Sequence, residues 1–443
     1  MDVCRGVLVG PGQRGGGCRR RCRRCQRGGG GGSDRRCRRV TPLPEASAGM
    51  NTADVIVIGT GGMGSAACAQ LALRGASVIG LDRFPLAHDR GSSHGQTRLI
   101  RQAYYEHPDY VPLLLEAYRL WRRLEEDTGR RLLFQSGLMM AGSPEGEAIA
   151  GTLRAADIHG LPVERLAVAE AQRRFPHFRL DDGWIAIWEA AAGYLMVEDC
   201  IRAFAAVAQS HGARFKTDVA VLGWTAGAHG VMVDTDRGTF RADRLVIAPG
   251  AGASELARLN SIPLTILKKS MFWYRPKAAV AADFAAASAA PGSTGFPCFA
   301  FDTPAGFYYG FPALDDRGVK MAEHTGGRLV RNPLTLDRTL DRNEEARVAA
   351  IARAHLPDLG TDLAYDSSCM YTMAPDGQFV IGLHPESPRV AVAAGFSGHG
   401  FKFASVVGAI LADLALNGRT TQPIGFLAPD RFRSQINERP LLS

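Results

Sequence analysis

One segment restricts the fold more than any other: a glycine-rich turn between two short apolar runs. Residues 54–58 are DVIVI and residues 59–64 are GTGGMG, and after an alanine-rich stretch the second run, 78–81, ends beside Asp82. This order of strand, GxGxxG turn, helix, strand and acid is typical of the βαβ unit that binds a dinucleotide. The sequence therefore predicts a dinucleotide site at this turn.

Each residue of the fingerprint has its own expected part in that site. Gly59 permits the tight turn, Gly61 lets the backbone approach a pyrophosphate, and Gly64 allows the helix to pack closely on the strand. The helix N-terminus faces the phosphates, and Asp82 can accept a ribose hydroxyl. We take these four as cofactor-binding residues.

The first 49 residues differ in composition from the rest of the chain. They contain 12 arginines, three acidic residues and five of the nine cysteines, without apolar periodicity. Such a segment buries too little surface to offset its ordering entropy, so we predict a disordered tail or a misassigned start, with Met50 the true first residue. The alternative is a zinc- or RNA-binding module, although four of its cysteines fit no closed four-ligand spacing: Cys18, Cys22, Cys25 and Cys37.

Without this tail the charge is balanced. The chain has 52 basic and 44 acidic residues, and removing the 12 and three of residues 1–49 leaves 40 and 41. The net charge of +8 therefore gives no reason to expect a nucleic-acid partner for the folded part. No run of 18 apolar residues is present, so we expect no membrane span. The remaining cysteines form no disulfide framework, which suits a cytoplasmic protein: Cys68, Cys200, Cys298 and Cys369.

Periodicity predicts how the rest is organised. Helices are expected at 110–126 and 197–209, and a hairpin at 307–311 and 319–324. Two more glycine-rich segments, 249–252 and 395–400, follow apolar strands far from the first fingerprint. Such spacing is more typical of an FAD domain built from separated segments than of a compact NAD domain.

We therefore predict an α/β fold with two domains. One is a discontinuous Rossmann-like FAD-binding domain, and the other is an antiparallel-sheet α+β substrate domain. The predicted FAD domain comprises residues 50–132, 197–269 and 372–443. The predicted substrate domain comprises residues 133–196 and 270–371.

Four groups of residues could supply the chemistry, and each also has a structural explanation. Arg98 and Arg101 are three apart in GSSHGQTRLIR (91–101), so one helical turn would let them clamp a carboxylate together; the alternative is a solvated basic face. Lys320 and His324 share one face of a predicted strand, which could instead be a charged edge strand.

The other two groups lie toward the C-terminus. His399 and Lys402 stand where the last helix begins, a place suited to an anion, or to an ordinary helix cap. Cys369 could form a thioether link to a cofactor, whereas a lone cysteine is usually a small buried apolar residue. We identify no metal site.

Five blocks in order carry a resemblance to a known family: residues 91–101 (GSSHGQTRLIR), 308–312 (YYGFP), 320–324 (KMAEH), 369–382 (CMYTMAPDGQFVIG) and 395–404 (GFSGHGFKFA). From about Ala53 onward the chain resembles the family of monomeric sarcosine oxidase and N-methyltryptophan oxidase, which also includes pipecolate oxidase. The resemblance implies a fold of the glycine and D-amino-acid oxidase type, a bound FAD and a monomer.

The resemblance also implies roles for single residues. Arg101 and Lys402 would bind the substrate carboxylate, and four residues would line the substrate site: Tyr371, His324, Tyr309 and Glu106. Lys320 would activate dioxygen, and FAD would be attached through an 8α-S-cysteinyl link to Cys369. Further residues would surround the flavin: Arg98, His94, His399 and, in the same motif as His94, Thr97. We take Lys320, His324, Tyr371 and Arg98 as catalytic.

The implied reaction is the oxidation of an N-methyl amino acid by dioxygen with consumption of water, giving the amino acid, formaldehyde and hydrogen peroxide. The substrate is left open between sarcosine, N-methyl-L-tryptophan and a cyclic secondary amino acid such as pipecolate. The aromatic run 272–274 slightly favours a bulkier substrate, although a buried strand would explain it equally well. The alternatives are a related FAD oxidase or dehydrogenase acting on another amine or a D-amino acid, and a non-catalytic RNA-binding protein with a nucleotide-sensing domain.

Overall fold

A computed structural model describes residues 51–259, 262–287 and 295–432. The predicted tail, residues 1–49, lies outside the described residues. The described chain is built on two large mixed sheets and one small sheet. Eight helices accompany them: α1 (Gly62–Leu73), α2 (Tyr110–Thr128), α3 (Glu147–His159), α4 (Val168–Arg174), α5 (Val197–Ser210), α6 (Ala253–Leu256), α7 (Arg342–His355) and α8 (Ala404–Asn417).

The first sheet contains the glycine fingerprint. Its strands are β1 (Thr52–Ile58), β2 (Val78–Leu81), β9 (Arg214–Lys216), β10 (Val221–Gly227), β11 (Gly230–Thr235), β12 (Gly238–Ile247), β19 (Val380–His384) and β20 (Ser387–Ala394). β1 pairs in parallel with β2 on one side and with β12 on the other. The C-terminal end of β12, residues 245–247, also pairs in parallel with β20. This pairing brings the C-terminal part of the chain beside the fingerprint.

Three helices cover one face of this sheet. Apolar residues of α1, α5 and α8 belong to one buried cluster with residues of β1 and β20. α1 and α8 approach so closely that a Cβ on Gly408 would lie 2.6 Å from Cβ of Ala66. The small residues of the alanine-rich stretch therefore serve helix–helix packing, and both faces of β1 are buried as expected for a parallel strand.

The second sheet is largely antiparallel. Its strands are β5 (Leu138–Gly142), β6 (Glu164–Ala167), β7 (Ile185–Glu189), β13 (Thr265–Pro276), β14 (Cys298–Thr303), β15 (Gly306–Phe311), β16 (Val319–Glu323), β17 (Arg328–Leu329) and β18 (Leu359–Met373). The predicted hairpin is present as β15 and β16, with Phe311 opposite Lys320. The long strands β13 and β18 pair so that Lys269 lies opposite Cys369.

A small third sheet joins the two parts. It consists of β3 (Thr97–Ile100), β4 (Leu133–Phe134) and β8 (Gly193–Met196), with β8 in the middle. The predicted helical turn carrying Arg98 and Arg101 is therefore wrong. Residues 97–100 are a strand, because they pair antiparallel with β8 almost a hundred residues away.

The proposed domain division stays a prediction. Its boundaries at 269/270 and 371/372 lie inside β13 and β18, which pair with each other along most of their length. The aromatic run 272–274 lies in the buried part of β13 and does not line the main cavity, so it gives no support for a bulky substrate. In the described part of the chain, no helix is long and apolar enough to cross a bilayer.

Candidate active site

The glycine fingerprint has the geometry of a phosphate-binding turn. Gly59 has φ of +85°, and a Cβ there would lie 2.5 Å from the carbonyl oxygen of Ala248. A Cβ on Gly64 would lie only 1.7 Å from the Gly59 oxygen, so the start of α1 is pressed against the end of β1. At Gly61, by contrast, a Cβ would meet no atom closer than Ser93 Oγ, at 4.0 Å. Gly61 therefore leaves space beside the helix N-terminus.

Asp82 lies at the end of β2, where the fingerprint predicts the ribose-binding acid. Its Oδ2 accepts hydrogen bonds from the backbone N–H of Thr60 at 2.7 Å and from its hydroxyl at 3.1 Å. Oδ1 accepts from the N–H of Phe84 at 3.0 Å. The carboxylate is thus fixed against the glycine turn and lines the same cavity.

That cavity has a volume of about 310 Å³ and extends from the fingerprint to a chamber between the sheets. Predicted site residues on its wall are Gly59, Gly61, Asp82, Arg98, Arg101, Glu106, Tyr309, His324, Tyr371, His399 and Lys402. Predicted residues that do not form its wall are Gly64, His94, Thr97, Lys320 and Cys369. We call the part of the cavity around Arg101, Lys402, His324 and Tyr371 the chamber.

Arg101 is buried at the chamber wall and is held in place from several sides. It donates to the carbonyl of Ala103 at 2.9 Å and to Glu106 Oε2 at 2.7 Å. Its guanidinium lies between the rings of Tyr104 and Tyr105, 4.4 and 4.6 Å from their centroids. Burial opposes ionisation of Glu106, but Arg101, His399 and Lys402 together outweigh it and lower the pKa of that carboxyl to about 2.

Lys402 is the second cation of the chamber. Its Nζ donates to the carbonyl oxygen of His399 at 2.8 Å and to the hydroxyl of Tyr104 at 3.4 Å. Burial, with a smaller effect of Arg101, lowers the pKa of Lys402 to about 7. Lys402 therefore changes charge near neutral pH, unlike an exposed lysine.

His399 is fixed in one neutral form. Burial lowers its pKa to about 4. Nε2 lies 3.1 Å from the carbonyl of Gly377, so Nε2 carries the proton and donates it. Nδ1 then accepts from the hydroxyl of Tyr104 at 2.7 Å.

His324 and Tyr371 also line the chamber. Nδ1 of His324 lies 3.3 Å from the Tyr371 hydroxyl. Burial lowers the pKa of His324 to about 3 and raises that of Tyr371 well above its usual range. Both groups are therefore uncharged near neutral pH.

Lys320 is buried behind the chamber wall, and its relative exposure is 1%. Its Nζ donates to the carbonyls of Gly95 and Thr97 at 2.6 and 2.9 Å and to Thr97 Oγ1 at 3.2 Å. Burial and the nearby Arg98 lower its pKa well below its usual range. The segment 91–101 is thus hydrogen-bonded to Lys320 through the carbonyls of Gly95 and Thr97. It is also hydrogen-bonded to Glu198, whose carboxylate accepts from the N–H of Gly95 at 2.7 Å.

Cys369 is a buried free thiol on β18. It belongs to a small apolar cluster with Met271, Trp273, Ala322 and Tyr371, on the side of the sheet that faces the motif at Gly95. Its neighbours Met370 and Tyr371 line the cavity, although Cys369 itself does not.

Two buried polar atoms near the motif and the cavity lack a protein partner. Within the three described ranges, neither Nε2 of His94 nor Oγ1 of Thr372 has a hydrogen-bond partner. Burial and Arg98 also lower the pKa of His94 to about 3. Thr372 lines the cavity, so its hydroxyl is available to a bound group. Together with the open space at Gly61, this fits a dinucleotide that extends from the fingerprint toward the chamber.

Sequence reasoning missed several residues that shape the site. Tyr104 contacts Arg101, His399 and Lys402, yet it belongs to no motif. Lys269 is buried beside Tyr371 and donates to the carbonyl of Thr325 at 2.6 Å. Only its apolar neighbours in the sequence signal that this lysine is buried.

These features define a dinucleotide-binding protein whose cavity continues into a chamber lined by buried basic side chains. A model of the DAO family, described as FAD dependent oxidoreductase, matches residues 54–414, and the chain belongs to this family. The predicted family and the predicted fold class are both confirmed.

Similar proteins share nearly the whole chain. Monomeric sarcosine oxidase of Streptomyces avermitilis is 42% identical over 385 residues, which is 86% of this chain and 98% of the relative. N-methyl-L-tryptophan oxidase of Yersinia pestis is 33% identical over 383 residues, which is 86% of this chain and 99% of the relative. The open form of NikD, an unusual amino acid oxidase essential for nikkomycin biosynthesis, superimposes with a TM-score of 0.74 at 28% identity, covering 86% of this chain and 98% of NikD.

Proposed function

We propose that this protein is an FAD-dependent oxidase that demethylates N-methyl amino acids. One molecule each of substrate, dioxygen and water would give one molecule each of the amino acid, formaldehyde and hydrogen peroxide. The observation that carries the proposal is that two buried basic side chains, Arg101 and Lys402, line the same cavity as the uncharged His324 and Tyr371.

The cations select the charge of the substrate. Arg101 and Lys402 favour a carboxylate, since charge-assisted hydrogen bonds in a buried site are about twice as strong as neutral ones. Arg98 adds a third positive charge on the cavity wall. Glu106, ionised on the same wall, offsets one of these charges. The remaining positive charge disfavours an ammonium group, so the chamber favours the neutral amine, the form whose nitrogen has a free electron pair.

The uncharged wall serves the amine end of the substrate. His324 and Tyr371 can exchange hydrogen bonds with the nitrogen without adding charge, because burial keeps both neutral near pH 7. Tyr309, also on the wall, closes the chamber next to them. With the carboxylate held by cations, this arrangement fixes the orientation of the substrate.

Several residues would hold FAD. The fingerprint and Asp82 would bind its pyrophosphate and ribose, Thr372 and His94 have polar atoms to offer, and Cys369 would form the thioether. Bound FAD supplies the acceptor for a hydride equivalent from the C–H beside nitrogen and passes the electrons to dioxygen. Lys320 would place a buried amino group beside the motif, where its N–H groups could stabilise negative charge that develops on oxygen.

The proposal is tested by measuring products. Purified protein is supplied with sarcosine or N-methyl-L-tryptophan, and oxygen uptake, peroxide and formaldehyde are measured together. We expect equal amounts of all three with at least one of these substrates. Sarcosinamide, which lacks the carboxylate, should have a kcat/KM lower by about 10- to 100-fold, the value of one or two charged hydrogen bonds.

Two results would contradict these expectations. Electron transfer to a quinone or a dye without peroxide would favour the dehydrogenase alternative. Equal kcat/KM for sarcosine and its amide would contradict the carboxylate role of Arg101 and Lys402.

A further inference from the structure

Glu189 is a buried carboxylate that the proposed reaction does not use. It is the last residue of β7, and its relative exposure is 4%. Its Oε1 accepts the N–H of Gln102 at 2.5 Å, and its Oε2 accepts the N–H of Ala103 at 3.3 Å. These are charge-assisted hydrogen bonds to two successive backbone groups.

The topology explains why these groups meet. β3 ends at Ile100, which pairs with Gly193 at the start of β8. β7 ends four residues before Gly193, and the N–H of Ala192 donates to the carbonyl of Glu189 at 3.2 Å. The chain leaving β3 must therefore pass over the β7–β8 corner, where the Glu189 side chain is the acceptor.

The segment that Glu189 holds carries much of the chamber wall. Residues 101–106 supply Arg101, Tyr105 and Glu106 to the cavity wall. They also supply Tyr104, whose hydroxyl accepts from Lys402. Arg101 folds back on its own segment and donates to the carbonyl of Ala103 at 2.9 Å. Ala103 is thus held by Glu189 through its N–H and by Arg101 through its carbonyl.

We propose that Glu189 is a positioning residue for the substrate-carboxylate site. Its ionised carboxylate fixes residues 101–106 in the conformation that presents Arg101 to the chamber. It does not touch the substrate and acts only through this backbone. This inference rests on the proposed function in one respect, namely that the ligand of the chamber carries a carboxylate.

The charge of Glu189 is sensitive to pH in the working range. Burial raises its pKa to about 7, although the two N–H groups and Arg101 oppose this effect. The charged or titratable groups that act on it are Arg101 of the segment and Tyr118 of α2. When Glu189 gains a proton below pH 7, its acceptor strength falls and the segment is less firmly held.

Lys402 titrates in the same pH range, but its titration weakens carboxylate binding on the opposite side of neutrality. The contributions of Lys402 and Glu189 to the pH dependence of Kd can therefore be separated. Lys402 loses its positive charge above pH 7, which weakens carboxylate binding on the alkaline side. Glu189 accounts for the weakening on the acid side. His324, His399 and Glu106 have pKa values near 3, 4 and 2, far below this range.

The experiment measures binding of propionate, a carboxylate without an amine, from the flavin absorbance of the holoenzyme between pH 6 and 9. In the wild type the Kd should rise on both sides of neutrality. In Glu189→Gln, whose side chain is neutral at every pH, the rise of Kd below neutral pH should disappear. Its Kd at pH 7.5 should be about tenfold higher than that of the wild type. Glu344→Gln is the matched control, because Glu344 is also buried and also holds a backbone N–H, that of Ser270 at 3.2 Å.

Each outcome decides the inference. An acid-side rise that persists in Glu189→Gln, or an equal change in Glu344→Gln, overturns it, as does a wild type that binds no propionate. If Glu189→Gln lowers only Tm and leaves the profile intact, its role is structural and the inference is wrong. Failure of the proposed function is distinct: no N-methyl amino acid would then yield peroxide, although the propionate profile could still change as expected.

Discussion

Replacing Lys402 with methionine should stabilise the protein at slightly acidic pH while weakening substrate binding. Burial lowers the Lys402 pKa from 10.5 to about 7, and the side chain is buried with 6% exposure. Since each pKa unit corresponds to about 1.4 kcal/mol, the buried charge costs the folded state about 5 kcal/mol at pH 6. Methionine removes this cost, but it also removes the hydrogen bonds that Lys402 donates to the His399 carbonyl and the Tyr104 hydroxyl. We take the loss of these two hydrogen bonds as about 2 to 3 kcal/mol.

The net effect on the free energy of unfolding should change sign with pH. At pH 6 lysine is charged in both the folded and unfolded states, so the variant should be more stable by about 2 to 3 kcal/mol. Between pH 7 and 10.5 the unfolded state binds a proton that the folded state lacks. Raising the pH therefore stabilises the wild type, and by pH 10 the variant should be less stable by about 2 kcal/mol.

The assay is denaturant unfolding of both proteins at matched flavin occupancy, at pH 6, 8 and 10, together with KM for the preferred substrate. KM should rise in the variant at pH 6, where wild-type Lys402 is charged. A difference in unfolding free energy that is constant across pH, or a variant less stable at pH 6, would refute a buried lysine with a lowered pKa.

Three more outcomes follow from the site. Cys369→Ser should release flavin into the supernatant on acid precipitation, whereas the wild type should give a yellow pellet; flavin in both wild-type and variant supernatants would contradict the thioether. Lys320→Met should slow reoxidation of the reduced enzyme by about 100-fold or more and leave its reduction by substrate much less affected, as stopped-flow measurements would show, and equal slowing would remove the role. Gly61→Ala should fold but incorporate less flavin, because its Cβ occupies the open space of the fingerprint; Gly227→Ala, whose Cβ meets no atom within 4 Å, is the control and should keep full flavin content.

Local patterns in the sequence were sufficient for much of this fold. The fingerprint gave the first βαβ unit, and helical periodicity gave α2, with Trp121 and Leu114 buried as expected. Alternation placed Lys320 and Ala322 on one face of β16, and both are buried there. In each case the information lies within about twenty residues of chain.

What could not be predicted depends on distant pairing. Residues 97–100 are a strand because β8 lies beside them, and no local periodicity records this partner. Glu189 and Tyr104 contact groups 87 and 295 residues away in the sequence, so neither is part of a motif. Even Cys369 gains its neighbour Lys269 only through the register of β13 and β18.

The pairing of β12 with β20 has a consequence for how the protein is made. The first glycine turn leaves the ribosome about 340 residues before Lys402, the last residue of the cavity wall, which at 5–20 residues per second means roughly 20 to 70 s. During that time α1 has no α8 to cover its small-residue face, and the cavity lacks the part of its wall formed by residues 394–402. A chain truncated before β20 would therefore carry the fingerprint without a complete cavity.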